Sequence, residues 1–353
     1  MKKVRLFTVL LLIIFSGVTL CGCTLAAKGE QMYFYERPAI GFTVEAEAVT
    51  NVTVDKQSSL DIEAQDGVIK ITQWDRDYLQ IIEKRKLKGP SSRDALKVLL
   101  ENNNCKVDST NYDIKIKKEP DKDLKPFFRR TDDIELMVPK ALKSIDIDAK
   151  SGRISMSGFD DMSIVDLTID NGSIKADNCK ANKITAAITD GDIDLAGIIS
   201  SGTYKCGRGN VKMRDITGAI ELKSVSGDTY IENAEGKLNC DISTGSITVK
   251  ASRLKTESML YASCGDIDAE LEGIETSGKY TINALKGNIR LKMPEKTGWS
   301  LLARSTGGRI LNKLEFAAGE LEKAPSGEVY GDVGGGGGPT INVYVDSGDI
   351  YLR

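Results

Sequence analysis

Carboxylates and thiols are the residue types here with spacings that could support chemistry. The chain has no histidine among its 353 residues. That removes Ser-His-Asp and Cys-His pairs, His-bearing zinc sites and the usual general base near neutral pH. Any catalysis would then fall to acids. Asp192, Asp228 and Asp266 each follow a glycine, and Asp192/Asp194 and Asp266/Asp268 lie two residues apart, on one side of an extended chain. Acid pairs of this kind suit glycoside hydrolysis, where an inverting enzyme holds its carboxyls about 6.5–9.5 Å apart. The same turn position is Ser, Asn or Arg elsewhere in the chain, as expected of a solvated turn residue. No catalytic residue is assigned.

Beyond Cys21 and Cys23, the thiols are Cys105, Cys179, Cys206, Cys240 and Cys264, an odd number with irregular spacings of 74, 27, 34 and 24. No Cys-x-x-Cys pair occurs, so no zinc site is read. Cys206 and Cys240, at the inward phases three and five before their glycines, read most simply as small core residues, with a Cys179–Cys206 bridge left open because spacing alone does not place their Cα atoms. Gly207-Arg208-Gly209 and the glycine run 334–338 lack the lysine of a phosphate loop, so no nucleotide, metal or cofactor is expected. Phe127-Phe128-Arg129-Arg130 reads as a solvated loop with two buried rings.

The N-terminus carries an address. Lys2, Lys3 and Arg5 precede a predominantly apolar stretch over 6–20, a secretory signal layout too short for a comfortable spanning helix. It ends in Leu20-Cys21-Gly22-Cys23, which resembles a bacterial lipobox, with Cys21 a less common residue at its place. The resemblance implies cleavage after residue 22 and acylation of Cys23, whose lipid chains hold the protein at the outer face of the cell membrane. Cleavage removes three positive charges and leaves 45 Lys+Arg against 51 Asp+Glu, a net charge of −6. A nucleic-acid partner is disfavoured, since polyanion binding needs a basic surface. Residues 23–44 read as a tether.

What would position any of these groups is a repeat. A glycine, a short polar residue and, at most sites, a β-branched residue recur at Gly152, Gly172, Gly191, Gly209, Gly227, Gly245, Gly265, Gly287, Gly308 and Gly348, with spacings of 20, 19, 18, 18, 18, 20, 22, 21 and 40. Apolar residues alternate on both sides, as in Ala186/Ile188 before Gly191 and Ile193/Leu195 after it. Period two marks half-buried strand, and the glycine marks a corner. A coil of 18–22 residues cannot bury its own apolar face, but stacked coils can. The fold class expected is all-β: a single-stranded β-solenoid of about ten coils, about 45–50 Å long at 4.8 Å per coil. No proline interrupts the ladder between Pro139 and Pro294.

The same phase appears upstream at Gly67, after which the chain leaves register for 85 residues. Within 45–140 we expect one coil, a helix capped by Ser91 and Asp94 that ends at Asn102-Asn103-Asn104, and strands over 113–117 and 134–138, together covering one end of the stack. The array proper runs over 141–353, interrupted at about 311–340 by a Gly-rich loop.

Asp66-Gly67-Val68-Ile69, Trp74-Asp75, Val138-Pro139-Lys140, the glycine-centred coils and the terminal Ser347-Gly348-Asp349-Ile350 resemble the bacterial "putative adhesin" family of extracytoplasmic β-solenoid domains, over roughly residues 50–353. The resemblance implies fold and setting and brings no catalytic residues. The expected function is a non-enzymatic envelope lipoprotein that presents a solenoid for adhesion, for wall or envelope binding, or for scaffolding. Its partners would be the membrane, through lipid, and a wall polymer or envelope protein. The alternatives are a polysaccharide-active enzyme using Asp pairs and a solenoid that assembles end to end.

Overall fold

The computed structural model describes residues 25–28, 31–34, 41–55, 58–101, 105–110, 112–118, 128–294, 297–316, 327–335 and 337–353. The signal segment, Cys21, Cys23, the Asn102–104 helix stop and Phe127 lie outside the described residues. In the segment read as a tether, Leu25–Lys28 pairs antiparallel with Gln31–Phe34, and a further strand begins at Phe42.

The chain forms two compact units. The smaller contains the helix Arg93–Glu101, which buries Leu96 and Leu100 against Val44 and Leu87, with Phe128 half-buried beside them. Its cap is Ser92 rather than Ser91: the Ser92 hydroxyl accepts the Ala95 N–H at 3.3 Å, three residues on, where a cap oxygen reaches an unpaired helix donor. Arg85 donates to the Leu100 carbonyl at 2.8 Å and closes the other end.

The larger unit is the solenoid. In the coil after Gly209, Val211, Met213, Ile216, Ile220 and Leu222 are all buried. The alternation therefore skips once, between 213 and 216. The skipped residue, Asp215, has φ +56°, and the residues six after Gly152, Gly172, Gly191, Gly227 and Gly245 do the same: Gly158 (+72°), Asn178 (+52°), Gly197 (+63°), Asn233 (+53°) and Ala251 (+46°). This second corner is a left-handed bulge that resets which side faces inward, and it favours Gly, Asn and Asp. The glycine phase alone does not predict it.

Stacking is parallel and in register from coil to coil, for example Val211↔Thr229 and Thr229↔Ile247. One continuous core, mostly aliphatic but with Phe159, Tyr204, Tyr280 and Trp299 in it, fills the axis. Among the described residues, eleven glycine corners and one corner at Asp132-Asp133 mark twelve coils, about 50–55 Å along the stack.

Spatial order departs from sequence order at both ends. The coil cornered by Gly67 lies second. Outside it sits a further pair of strands in the same arrangement, Asp113–Lys117 on Ser59–Ala64 and Arg129–Pro139 on Val68–Trp74. The excursion is thus partly solenoid itself, with Ile114, Ile116, Ile134 and Leu136 in the core. At the other end Thr340–Ser347 pairs on one side with Lys279–Lys286 and on the other with Trp299–Ser305, so the last coil in sequence lies inside the one before it. Each outermost coil then carries an antiparallel strand on its pre-glycine side: Lys106–Ser109 on Asp113–Lys117, and Glu328–Val333 on Trp299–Ser305. The latter falls within the stretch expected to be a Gly-rich loop; 334–335 form the turn that follows it.

Candidate functional site

The predicted corners come together as one line. Gly67, Gly152, Gly172, Gly191, Gly209, Gly227, Gly245, Gly265, Gly287 and Gly348 have φ between +104° and +153°. Gly308 does not, but a Cβ on it would lie 2.0 Å from the Gly348 carbonyl oxygen. The acids after these glycines are bound into the same line. Asp192 Oδ1 accepts the Asn210 N–H at 2.7 Å, Asn210 Oδ1 accepts that of Asp228 at 3.0 Å, and Asp228 Oδ1 that of Ser246 at 2.9 Å. Asp266, Asn288 and Asp349 continue the pattern to Arg309. Asp192 and Asp228 are separated by Asn210, and Asp228 and Asp266 by Ser246, about 10 Å in each case at two strand spacings. The side-chain oxygens point along the stack to the next backbone N–H instead of converging on a groove. An asparagine does the same job at 210 and 288, so the ladder uses an acceptor oxygen rather than a proton.

These bonds set a pH dependence. The Arg309 N–H holds Asp349 below its ordinary 3.8, and the Arg208 hydrogen bond lowers Asp190. For Asp266, burial pushes up, but the Asn288 N–H and Arg290 outweigh it and the carboxyl ends lower. A carboxyl depressed on folding contributes stability that is complete above its unfolded pKa and is lost as pH falls through the folded value. Asp146 has the opposite sign: burial and the nearby Asp166, Asp61 and Asp148 raise it, so its protonation relieves repulsion. Asp113, Asp161 and Glu270 are lowered too, each by a hydrogen bond from a neighbouring side chain. With six carboxyls lowered against one raised, the thermal midpoint is expected to be flat from about pH 6 to about pH 4 and to drop below that. A calorimetric series over that range measures it; a midpoint that rises on acidification contradicts the ladder's role.

All five cysteines of the described chain are free thiols, including Cys179 and Cys206. Cys206 and Cys240 are buried in the core as expected, and Cys179 is buried there too; burial pushes the Cys179 thiol up to about 11. Among the described residues no group of three or more His, Cys, Asp or Glu could hold a metal ion, and no helix is long and apolar enough to cross a membrane.

The outward surfaces differ between the two sides of the glycine line. On the post-glycine side, charges satisfy one another: Arg214 with Asp194 at 3.1 Å, Arg290 with Asp266 at 3.2 Å, and Lys292 with Glu270. Tyr230 lies between Lys212 and Lys250, each 5.8 Å from the ring centre. On the pre-glycine side, ladder register aligns Tyr261, Asn283, Tyr344 and Arg304 in successive coils. Beside them runs Asn239, Met259, Thr281, Asn342, Leu302 and Tyr330. Met259, Leu302 and Tyr330 are exposed. This face combines half-buried aromatic rings and an amide with one ion pair, Arg304 with Glu328 at 3.3 Å. Tyr261 and Tyr344 are two coils apart, about 10 Å. The signal was present in the sequence as the residues four before Gly265, Gly287 and Gly348, but only the inward phases reveal the fold, and the out-of-order last coil hides their adjacency.

No curated protein matches the chain. A solved structure called a "putative cell adhesion protein", from Clostridium sporogenes ATCC 15579, is 11% identical, with 88% of this chain and 99% of that one covered and a TM-score of 0.24. The Toastrack DUF4097 family matches residues 57–298, which contain the glycine corners from Gly67 to Gly287. With more than half of its length so matched, the chain belongs to the Toastrack DUF4097 family.

Proposed function

We propose that this is a non-enzymatic lipoprotein of the bacterial envelope, held to the outer face of the membrane through Cys23, whose solenoid binds a wall polymer or envelope partner on its pre-glycine side. The observation that supports it is the row Tyr261, Asn283, Tyr344 and Arg304. Stacking rings at a fixed spacing, flanked by amides, suit an extended neutral chain such as a polysaccharide, because rings cover apolar sugar faces and amides pair with hydroxyls. The full chain in detergent is expected to be retained on insoluble wall polysaccharide. Replacing Tyr261 and Tyr344 together by alanine should weaken retention at least about tenfold, the equivalent of 1.4 kcal/mol. Equal retention by the variant, or no retention of the parent, removes this reading.

The anchor is tested separately. Cys23→Ser is expected to abolish incorporation of radiolabelled palmitate; labelling that persists refutes the site. The enzyme alternative is weakened by the carboxylates engaged along the glycine line. End-to-end assembly is weakened by the antiparallel strands on the terminal coils, since charged residues such as Lys106, Asp108, Glu328 and Asp332 line them and disfavour edge pairing.

A further inference from the structure

At the outermost coil nearest the N-terminus, Lys118 follows the strand Asp113–Lys117 and Asp132 lies in Arg129–Pro139. Their side chains are 5% and 6% exposed, with Nζ 3.4 Å from Oδ2. Every other described ion pair leaves both partners at least 22% exposed. Glu83, itself 4% exposed, accepts the Cys105 N–H through Oε2 at 3.1 Å. Glu83, Lys118 and Asp132 all act electrostatically on the Cys105 thiol, which places a buried amine and two buried acids in one neighbourhood. The backbones are held: the Lys118 N–H donates to the Glu63 carbonyl at 2.8 Å, and the Asp132 carbonyl packs on Gly67.

A buried ion pair carries a desolvation cost that the attraction between its partners must offset. Joining the two groups as an amide removes both charges, and a site closed to water disfavours the reverse reaction. We propose that Lys118 and Asp132 condense into an intramolecular amide, with Glu83 as the buried acid that carries the proton. The Lys118 ammonium gives up a proton, and its Nζ attacks Cγ of Asp132. The C–N bond forms, a carboxyl C–O bond breaks, and the oxygen leaves as water with protons relayed from Nζ by Glu83. Ammonium and carboxylate yield amide plus one water, with no change of oxidation state and no co-reactant. Cys105 does not compete as nucleophile, because burial, reinforced by Glu83, pushes its thiol up to about 12.

Tryptic mass mapping of the full chain tests this. The expected product is a branched peptide joining the Lys118 and Asp132 segments, one water lighter than their sum, with no cleavage after Lys118. In Glu83→Gln the branched peptide is expected to be lost and cleavage after Lys118 restored, with the circular dichroism of the parent retained. Cleavage after Lys118 in the parent, with both peptides linear and at full mass, overturns the proposal. A branched peptide formed equally well by E83Q overturns the role given to Glu83.

Discussion

Replacing Gly227 by valine is expected to destabilise the solenoid by about 4 kcal/mol and to lower its thermal midpoint by about 10 °C. An added Cβ at Gly227 would sit 2.0 Å from the Gly209 carbonyl oxygen. That oxygen cannot retreat, because it belongs to a coil bonded on both sides: the Gly209 N–H donates to the Ser226 carbonyl in the next coil, and the Asn210 carbonyl accepts the Ile193 N–H of the previous one. The φ of +121° at Gly227 adds roughly 1–2 kcal/mol for any residue with a Cβ. Gly158 is the control. It too has a positive φ, +72°, but nothing lies within 4 Å of its Cβ position. Gly158→Ala is expected to cost only about 1 kcal/mol, the conformational part alone. Chemical denaturation of the two variants side by side separates steric from conformational cost; equal losses would show that the close approach along the glycine line does not matter.

Removing residues 340–353 is expected to do more damage than trimming an end coil. Ile341, Val343, Val345, Ile350 and Leu352 are each at most 1% exposed. At roughly 1.5–3 kcal/mol per buried aliphatic side chain, their loss is on the order of 10 kcal/mol. The loss falls inside the stack. Trp299–Ser305 and Ile310–Asn312 would each lose the parallel neighbour that joins them to the rest of the solenoid. Limited proteolysis with mass readout is expected to find cuts throughout 299–333 in the truncated chain, while 144–292 stays protected. Protection of 299–312 equal to that of the parent would mean the outer coil can dock directly on Lys279–Lys286.

Much of this fold is legible in the sequence because a coil is a local object. The glycine phase and the alternating aliphatics locate all eleven glycine corners, ten of them at positive φ, and the inward residues around them. The second corner is less legible because four residue types share it and because it appears only as one skipped beat in an alternation. Coil order is illegible for a different reason. Every coil offers the same glycine register to its neighbours, so Gly348 fits against Gly287 or beyond Gly308 equally well by pattern. The choice comes from tertiary packing, with Trp299 buried in the outer layer and Glu328–Val333 folded back upon it. The Tyr261–Tyr344 row inherits that ambiguity, since its two rings become near neighbours only in the observed order.

The interleaved ends have a mechanical consequence. In a solenoid that stacks in simple sequence order, tension on a chain end opens the last coil like a zipper, one hydrogen bond at a time. Here a pull on the C-terminal residues loads Thr340–Ser347, which is gripped by parallel strands on both sides. Those ladders run along the strand and must give way in shear, with many bonds strained together. At the opposite end, Ser59–Ala64 is likewise clasped between two neighbours. A load applied at the C-terminus thus meets two ladders together rather than a single coil that can peel away.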